Sequence, residues 1–523
     1  MVRYELRKKI LYKGGCSFLE EILRYFNEEC IKKFIDLRID LYKNPEDLAG
    51  FITATRKETD EIARRFVETV IQEMNDVIKD MTIRKNHWYV EHKYDDKKLI
   101  TSVGDIELKK TLYVSKDEVN EDGKPLSCYL IDKVLGLLPN QSMTDDAVAN
   151  ILEETVQTSY RKGGEVTSPN GVTKGAVKNV IHGLKFPANY KKPDKKKEVE
   201  YLYIEADEDH YNLQFQNKKG DLKYSDNGRK LNGAINKIVY VHEGIVPEAP
   251  QSKRYKLVNP HYFCRGGEQD NRAFWKEIFN YIEDTYDVGN VKRIYMNSDG
   301  GKWIKTGYRG IMNVTFVLDE YHIKQYITKL TSHMKDSADD AKQELYRCIR
   351  SETKADFYNI VNRLKNCTDD EDVLKRIEDA ANYIDANWSA AKYRLKKEKG
   401  IVGSSTEGHV YHVLSKRMST NPMGWSRHGA SQMARLLEYY WNGGDMLELA
   451  KYQREALPMA AGAEEVVLSA NTKFRAVKSY RTQQQKEYGK YSDSISATLS
   501  LEKSKQLWFY LNGKIKDIKD ERY

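Results

Sequence analysis

The spacing of apolar residues divides the chain into helical and extended stretches. In residues 1–87, apolar positions recur every three or four residues, which predicts amphipathic helices over 18–42 and 59–81. From 88 to 128, apolar and polar residues alternate in short runs with a turn at Gly104, which predicts two or three strands. The chain therefore begins with a helical N-terminal region at 1–87, followed by a small β region at 88–128.

Residues 129–188 return to the helical period and predict a helix-turn-helix DNA-binding region. One helix covers 143–160, a glycine-containing loop covers 161–171, and Thr173 is placed to cap a second helix that ends near residue 184. Two ordinary packed helices with a solvated polar face fit the same pattern. In the helix-turn-helix interpretation, the DNA-binding side chains lie off the apolar face of the second helix: Lys174, Lys178 and Asn179.

A basic linker at 189–198 separates this region from the next. It carries five lysines within seven residues, around Pro193. Such a segment suits contact with a DNA phosphate backbone, or simply solubility.

Residues 199–331 predict a mixed β-sheet. Strands over 199–207, 211–216 and 234–245 precede a helix over 271–286, after which two strands alternate with helices. Three consecutive strands followed by alternation are typical of a mixed sheet whose first strands form a meander.

The remaining chain is predominantly helical. Residues 332–402 predict a charged, all-helical block. Residues 403–450 restart with glycines and predict two more helices, and 451–523 predict a helical or flexible C-terminal region.

Composition excludes several classes of protein. Of the 523 residues, 40% are hydrophobic and 31% are charged, which is a foldable mixture rather than a disordered one. No run approaches the about 18 apolar residues of a membrane-spanning helix, and the N-terminus lacks the pattern of a signal peptide, so we expect a cytoplasmic protein without a membrane partner. The six cysteines are scattered without a CxxC pair, which argues against a zinc cluster or a disulfide scaffold.

Acidic residues at strand ends are the main chemical feature. Asp207 ends the first predicted strand of the sheet, Asp299 ends the fourth, and Glu407 opens a later helix. Carboxylates that converge at neighbouring strand ends bind hard divalent cations, and two such ions about 4 Å apart serve phosphodiester cleavage. A turn or capping role is the ordinary alternative for each acid. Side-chain alternation puts Asp209 on the face of Asp207 and makes it the reserve candidate.

Four further residues have side chains suited to DNA. Trp303 and Trp425 carry rings that could stack on an extruded base, although core packing is the stronger interpretation of Trp303. Arg417 and Arg427 are candidates for bidentate phosphate contacts, with surface ion pairs as the alternative.

Four motifs lie between residues 204 and 436: IEAD, NSDGGKWIK, LDEYHIKQY, and the stretch from STEGHVYHVLSKRM to MGWSRHGASQMARL. Together they resemble bacterial insertion-sequence transposases of the ISLre type, which are related to the Mutator-like group with a ribonuclease-H-like DDE core. More weakly, LGLLPNQSMTDDAVANILEETVQTSY resembles the region before the helix-turn-helix of that family. The resemblance covers roughly residues 90–445.

The resemblance implies a multidomain α/β protein whose catalytic core is a ribonuclease-H-like mixed sheet. The core would comprise 199–331 and 403–450, with the block at 332–402 as a helical insertion. The resemblance also implies a metal-binding triad for two Mg²⁺ or Mn²⁺ ions, consisting of Asp207, Asp299 and Glu407.

The same resemblance gives roles to neighbouring residues. Asp319 and His322, three residues apart on one helix face, would support the site, as would Trp303. A capping Asp and a half-buried His are the alternative for Asp319 and His322.

The implied function is DNA transposition. The partners would be double-stranded DNA, as terminal inverted repeats and as target, and further copies of the chain in a homodimer or higher homo-oligomer at the nucleoid. Two other functions stay open. One is a ribonuclease-H-like nuclease without strand transfer, and the other is a transposase-derived DNA-binding protein without catalysis.

Overall fold

The structure is a computed structural model that describes residues 25–119, 123–138, 140–215, 224, 232–267, 269–308, 313–420 and 423–463. The chain forms two compact units. One comprises the chain up to Pro187 together with the part from Asp445 onward, and the other comprises Ala188–Gly444. Most of the predicted C-terminal region at 451–523 lies outside the described residues, as does the beginning of the predicted N-terminal region.

The first unit packs helices against an antiparallel sheet of order β1-β2-β3. Its core joins Trp88 and Tyr113 of the sheet to Ile78 of the long second helix. In chain order its elements are the π-helical turn Phe26–Cys30, α1 (Ile31–Lys43), α2 (Leu48–Asp80), α3 (Thr82–His87), β1 (Trp88–Thr101), β2 (Gly104–Val119), β3 (Pro125–Cys128), α4 (Leu130–Leu135), α5 (Asp145–Thr155), α6 (Tyr160–Val166) and α7 (Lys174–Gly183).

Helix α6 occupies most of the segment that the sequence pattern predicted as a loop. Gly163 and Gly164, which indicated the loop, lie where α6 packs closely on its surroundings. A Cβ on Gly163 would lie 2.5 Å from Thr155 Cγ2, and one on Gly164 would lie 2.3 Å from the Val172 carbonyl oxygen. The loop prediction was wrong because these glycines serve close packing rather than a turn.

The second unit is built on a five-stranded mixed sheet of order β10-β9-β4-β5-β8. β4, β5 and β8 are antiparallel neighbours, whereas β4 runs parallel to β9, and β9 runs parallel to β10. Its elements up to the last strand are β4 (Tyr201–Asn212), β5 (Gly233–His242), the hairpin of β6 (Ile245–Pro247) and β7 (Tyr255–Leu257), β8 (His261–Gly266), α8 (Asn271–Thr285), β9 (Arg293–Ser298), α9 (Lys302–Tyr308) and β10 (Val314–Leu318).

The first strand of this sheet is longer than predicted. β4 continues through residues 208–210, where the charged side chains indicated a break, so the separate strand at 211–216 was wrong. The chain can stay extended there because β5 pairs with the whole stretch and because Asp209 Oδ1 accepts hydrogen bonds from Ser415 and Ser419 at 2.6 and 2.8 Å. The third strand of the meander is β8, which the pattern did not indicate.

Helices follow the sheet. Alternation along β4 sends Leu202, Ile204 and Ala206 into a core with α8, whereas Tyr203 packs on the opposite face with Tyr295. The helices after β10 are α10 (Glu320–Thr331), the 3₁₀ turn Ser332–Ser337, α11 (Ala338–Ser351), α12 (Lys354–Lys365), α13 (Glu371–Ala386), α14 (Trp388–Lys396), α15 (Thr406–Val410), the π-helical turn Tyr411–Ser415, α16 (Lys416–Met418) and α17 (Arg427–Trp441). Most of the block predicted as helical at 332–402 is helical, up to Lys396, and α10 to α14 share one apolar core.

Helix α18 (Met446–Ala463) belongs to the first unit again. Arg454 pairs with Asp145 of α5 at 2.5 Å, and Gln453 Nε2 donates to the Lys185 carbonyl oxygen at 2.9 Å. The first unit is therefore assembled from two separated parts of the chain. Within the described residues, no helix combines the length and apolar character needed to cross a membrane.

Candidate functional site

Strand register brings three acidic residues to one edge of the second unit's sheet. Ser298 forms the last parallel pair with Ala206 of β4 on one side and with Leu318 of β10 on the other. The next residue on each of the three strands is acidic: Asp207, Asp299 and Asp319. Since these residues follow the last parallel pairs of neighbouring strands, they lie side by side, and we call them the acidic cluster. Asp207 and Asp299 were predicted on adjacent strands, and the structure places them there.

Local hydrogen bonds hold Asp207 and Asp299. Asp207 Oδ1 accepts from Glu208 N at 2.8 Å, and Asp299 Oδ1 accepts from Gly301 N at 2.8 Å. The Asp299 carbonyl oxygen also accepts from Tyr383 OH at 2.6 Å, which ties the end of β9 to α13. Hydrogen bonds from backbone N–H groups thus hold both carboxylates in position.

Asp319 and His322 form a pair at the start of α10. Asp319 is buried and caps the helix by accepting from Tyr321 N at 3.4 Å. Its Oδ2 lies 3.2 Å from His322 Nδ1. The capping role that sequence analysis gave as the alternative is therefore present, and it coexists with a place in the acidic cluster.

The pKa values of Asp207 and His322 are shifted by the charges of neighbouring residues in the cluster. Burial first, and then the nearby charge of Asp299, outweigh the opposing effects of the Glu208 N–H and His322 and raise the pKa of Asp207 to about 7. Burial lowers the pKa of His322, but its hydrogen bond with Asp319 and the charges of all three aspartates outweigh burial and raise it overall. The cluster therefore concentrates negative charge that a nearby cation would stabilise.

Sequence analysis missed Glu205, which is wholly buried two residues before Asp207 on the same strand face. Its Oε2 accepts from Tyr240 OH at 2.6 Å, Thr406 Oγ1 at 2.6 Å, Ser405 N at 3.1 Å and Ser404 Oγ at 3.2 Å. Three consecutive residues of the segment leading into α15 are thus fastened to β4. The two-residue spacing between Glu205 and Asp207 could have indicated that the two acids share a strand face. The largely apolar sequence of the strand instead drew attention to its core residues.

The carboxylate of Glu205 is kept charged. Burial alone would raise its pKa, but His242 and the hydroxyls of Thr406 and Tyr240 outweigh burial and lower it to about 2. His242 Nε2 lies 3.4 Å from Oε1. Glu205 is therefore a structural anion beneath the strand-end cluster.

Glu407 lies in the first turn of α15, directly after the residues that Glu205 holds, and its side chain is exposed. The first-turn position that both interpretations gave it is thus observed, whereas the N-cap residue of α15 is Ser405, which makes no side-chain capping hydrogen bond. Among the residues that the structure describes, no three His, Cys, Asp or Glu side chains converge to hold a metal ion. The triad of Asp207, Asp299 and Glu407 is therefore not assembled here, and its role stays a prediction.

The remaining candidates differ in exposure. Asp209 is buried and bonded to two serines, and Trp303 is buried with Nε1 donating to Glu208 Oε2 at 2.9 Å. Arg417 lies over the ring of Trp425 at 4.9 Å, and both are buried. Of the predicted DNA contacts in this unit, Arg427 alone is exposed. Contact of Arg417 and Trp425 with DNA stays a prediction, and it would require these buried side chains to become accessible.

A divalent cation fits the donors of this cluster in part. Asp207 and Asp299 supply carboxylate oxygens, which Mg²⁺ and Mn²⁺ prefer, and a bound cation would offset the burial and the repulsion by Asp299 that raise the pKa of Asp207. A third donor would come from Asp319, at the end of the neighbouring strand β10, or from Glu407 in the first turn of α15.

In the first unit, α7 presents the predicted polar face. Thr173 caps the helix by accepting from Ala176 N at 3.2 Å, as predicted. Lys174, Lys178 and Asn179 are exposed, whereas the apolar residues of the opposite face are buried or half-buried. The helix thus has the exposed polar surface that the helix-turn-helix interpretation requires.

Comparison with known proteins gives consistent family matches. The profile of the uncharacterised protein family UPF0236 matches residues 43–455. The chain is 31% identical to UPF0236 protein TTE1650/TTE2708 of Caldanaerobacter subterraneus subsp. tengcongensis, over 86% of this chain and 82% of that relative. It is 32% identical to UPF0236 protein TTE2489 of the same organism, over 84% and 86%. Among solved structures, it is similar to the Drosophila P element transposase strand transfer complex, with a TM-score of 0.22 and 10% identity over 72% of this chain and 92% of that chain.

Proposed function

Because the chain belongs to the uncharacterised protein family UPF0236, we propose its function from its strand-end site: a DNA transposase of the DDE type. The observation that carries the proposal is the placement of Asp207, Asp299 and Asp319 directly after the last parallel pairs of the three adjacent strands β4, β9 and β10. The order β10-β9-β4-β5-β8, in which β10, β9 and β4 run parallel and β5 runs antiparallel to both of its neighbours, supports a ribonuclease-H-like core. The motifs resembling ISLre-type and Mutator-like transposases support the same assignment.

In the proposed site, Asp207 and Asp299 would hold Mg²⁺ or Mn²⁺, with Glu407 or Asp319 as the third donor. Two bound ions would polarise the scissile phosphodiester and lower the pKa of the attacking water or 3′-hydroxyl. Glu205 fixes the approach to α15, and His322 orients Asp319 and offsets its charge. Hydrolysis and transfer to target DNA are both displacements at phosphorus, so one set of carboxylates serves both.

The proposed partners are the two inverted repeats of an element and a target duplex. Lys174, Lys178 and Asn179 of α7 are proposed to contact the repeats, since they are exposed along one helix. Joining two element ends requires a homodimer or a higher homo-oligomer. Inverted repeats flanking the coding region would support this proposal and would supply the DNA for the assays.

The test is cleavage and strand transfer on that DNA with Mg²⁺ or Mn²⁺. Asp207→Asn and Asp299→Asn should bind DNA but lose cleavage by several orders of magnitude, because the amide lacks the charge that holds a cation. Glu200→Gln, an exposed glutamate just before β4, is the matched control and should keep wild-type rates. Cleavage by Asp207→Asn at the wild-type rate would refute the proposed site.

The third acid is decided by comparing Glu407→Gln with Asp319→Asn. We expect Glu407→Gln to abolish cleavage while DNA binding persists. If Glu407→Gln cleaves normally and Asp319→Asn does not, Asp319 is the third donor.

A DNA-binding protein without catalysis is the second candidate, because no three carboxylate or imidazole side chains converge among the described residues. Specific binding to the repeats without cleavage by the wild type would favour it. Cleavage without strand transfer would instead indicate a ribonuclease-H-like nuclease.

A further inference from the structure

A buried arginine joins the helical block to the ends of two strands of the sheet. Arg394 belongs to α14, and only 4% of its surface is exposed. Its Nε donates to the Leu318 carbonyl oxygen at 3.1 Å, and its Nη2 donates to Asn297 Oδ1 at 2.7 Å. Its Nη1 donates to the Val402 carbonyl oxygen at 2.5 Å. The three guanidinium nitrogens thus bind three different parts of the chain: β10, β9 and the segment before α15.

The contact with β10 holds the peptide unit that leads into Asp319. The carbonyl of that unit, from Leu318, accepts from Arg394. Its N–H, from Asp319, donates to the Ser298 carbonyl oxygen at 3.0 Å. Ser298 is the last residue of β9 and directly precedes Asp299. A single peptide unit therefore links Arg394 to the strand end that carries Asp299, and the N–H of this unit reports whether the two strand ends stay together.

The contact with β9 continues across the sheet to β4. Asn297 accepts from Arg394 through Oδ1 and donates through Nδ2 to Glu205 Oε1 at 3.5 Å. Asn297 and Glu205 are partners in the parallel register of β9 and β4, and each stands two residues before an acid of the cluster. Because side chains alternate along a strand, each lies on the face of the acid that follows it. A row of buried hydrogen bonds thus crosses β4, β9 and β10 just before their acids, and Arg394 ends this row on the helical side.

Arginine suits this place because of its shape and its charge. A planar guanidinium presents five N–H donors in fixed directions, so it reaches three acceptors that lie on different elements. An ammonium group donates from a single nitrogen and cannot occupy all three positions. Burial lowers the pKa of Arg394, and the charges of Asp319 and Glu205 oppose that effect. The row therefore also carries a positive charge that offsets its acidic neighbours.

We propose that Arg394 is a positioning residue of the acidic cluster, which holds the ends of β9 and β10 at the spacing in which Asp299 and Asp319 can act on one ligand. The ligand, a divalent cation, rests on the proposed function, whereas the positioning rests on the hydrogen bonds alone. The contact with Val402 extends the same restraint to the segment that leads to Glu407. Loss of the guanidinium should therefore loosen the cluster without changing any of its acids.

The first test follows amide hydrogen exchange of the full chain at residue resolution, in EDTA. Arg394→Lys keeps the positive charge but loses the fork of donors. We expect the Asp319 amide to exchange about tenfold faster, because a released strand end opens locally at a lower cost in free energy. The Ile294 amide is the internal control, since it donates to the Asn313 carbonyl oxygen at 3.1 Å at the other end of the same strand pair. Its exchange rate should change by less than about twofold.

Two results overturn the positioning role. Unchanged exchange at Asp319 would show that Arg394 does not hold the strand end. Equal acceleration at Asp319 and Ile294 would show a general loss of stability instead. Lys396→Ala is the matched control, because Lys396 is an exposed cation on the same helix, and it should leave both amides unchanged.

A second variant covers the case in which Arg394→Lys does not fold. Asn297→Ala removes the contact of the guanidinium with β9 but leaves Arg394 and its bond to β10 in place. It should accelerate exchange at Asp319 and not at Ile294. An unchanged Asp319 amide in this variant would overturn the proposal as well.

The second test asks whether the positioning matters for a cation, with Mn²⁺ as the probe and electron paramagnetic resonance of the full chain without DNA. The wild type should bind Mn²⁺, and Asp207→Asn should abolish this binding. Arg394→Lys should weaken it about tenfold, as expected when a group that orients metal ligands is lost. Because this variant keeps the charge, the loss would reflect geometry. Lys396→Ala should bind like the wild type.

The two tests separate this proposal from the proposed function. If the wild type binds no Mn²⁺ that Asp207→Asn removes, the proposed active site fails, and amide exchange still decides the role of Arg394. If the wild type and Arg394→Lys bind Mn²⁺ equally while Asp207→Asn does not bind it, the positioning of cation ligands by Arg394 is overturned.

Discussion

Replacing Glu205 by Gln is expected to destabilise the second unit, because this buried carboxylate joins β4 to the approach to α15. The change keeps the size of the side chain and one oxygen acceptor but removes the charge. The pKa of Glu205 is lowered from its ordinary value of 4.5 to about 2. At about 1.4 kcal/mol per pH unit, the charged form contributes about 3 kcal/mol to the free energy of unfolding.

The sign of this contribution follows from the direction of the shift. Because the folded protein holds the proton more weakly than the unfolded chain, the stabilisation is present above pH 4.5 and is lost as the pH falls towards 2. For a unit of this size, about 3 kcal/mol corresponds to a decrease of about 6–12 °C in the midpoint of thermal unfolding at pH 7.

The assay is thermal unfolding of the full chain, followed by calorimetry and circular dichroism at pH 7. Glu200→Gln is the matched control, because Glu200 is exposed, pairs with Lys292 at 2.8 Å and should leave the midpoint unchanged. A midpoint for Glu205→Gln within about 1 °C of the wild type would refute the predicted contribution of the charged Glu205 carboxylate to stability.

Three further predictions concern other parts of the chain. His261 stacks on Tyr281 at 4.3 Å and burial lowers its pKa from 6.5 to about 4, so we expect about 3 kcal/mol of stability to be lost as the pH falls from 6.5 to 4. His261→Phe should keep the stacking and flatten this pH dependence, which denaturation at several pH values will measure. Lys178→Ala should weaken binding to the terminal repeats and lower its salt slope by about 1 in a footprint titration; unchanged binding would move the recognition surface away from α7. Gly164→Ala should destabilise the first unit by about 1–3 kcal/mol in urea, because the new methyl group meets the Val172 carbonyl oxygen; a neutral effect would mean that α6 shifts freely.

Sequence patterns predicted the acids at strand ends well, for a physical reason. An apolar run that stops at an acidic residue marks a strand and the end of its buried part, so Asp207 and Asp299 were identifiable individually, although β4 itself continues to Asn212. That they lie side by side depends on register between β4 and β9, which no local pattern encodes. The place of Asp319 beside them likewise depends on the pairing of β10 with β9.

The missed features involve residues whose partners are far away in the chain. Glu205 looked like a single polar residue in a buried strand, and its partners at 404–406 lie about two hundred residues later. The pattern at Gly163 and Gly164 predicted a loop, but both glycines lie in a helix, where they allow close packing.

The return of the chain to the first unit in α18 has a consequence for the order of folding. During synthesis, residues 188–444 emerge before the partners of Asp145 and Lys185 exist, an interval of roughly 13–50 s at about 5–20 residues per second. The second unit is a continuous stretch and can form on the ribosome, whereas the first unit stays open until Gln453 and Arg454 arrive. A chain that stops at residue 444 would retain its acidic cluster, but the helices of its first unit would lack their final partner.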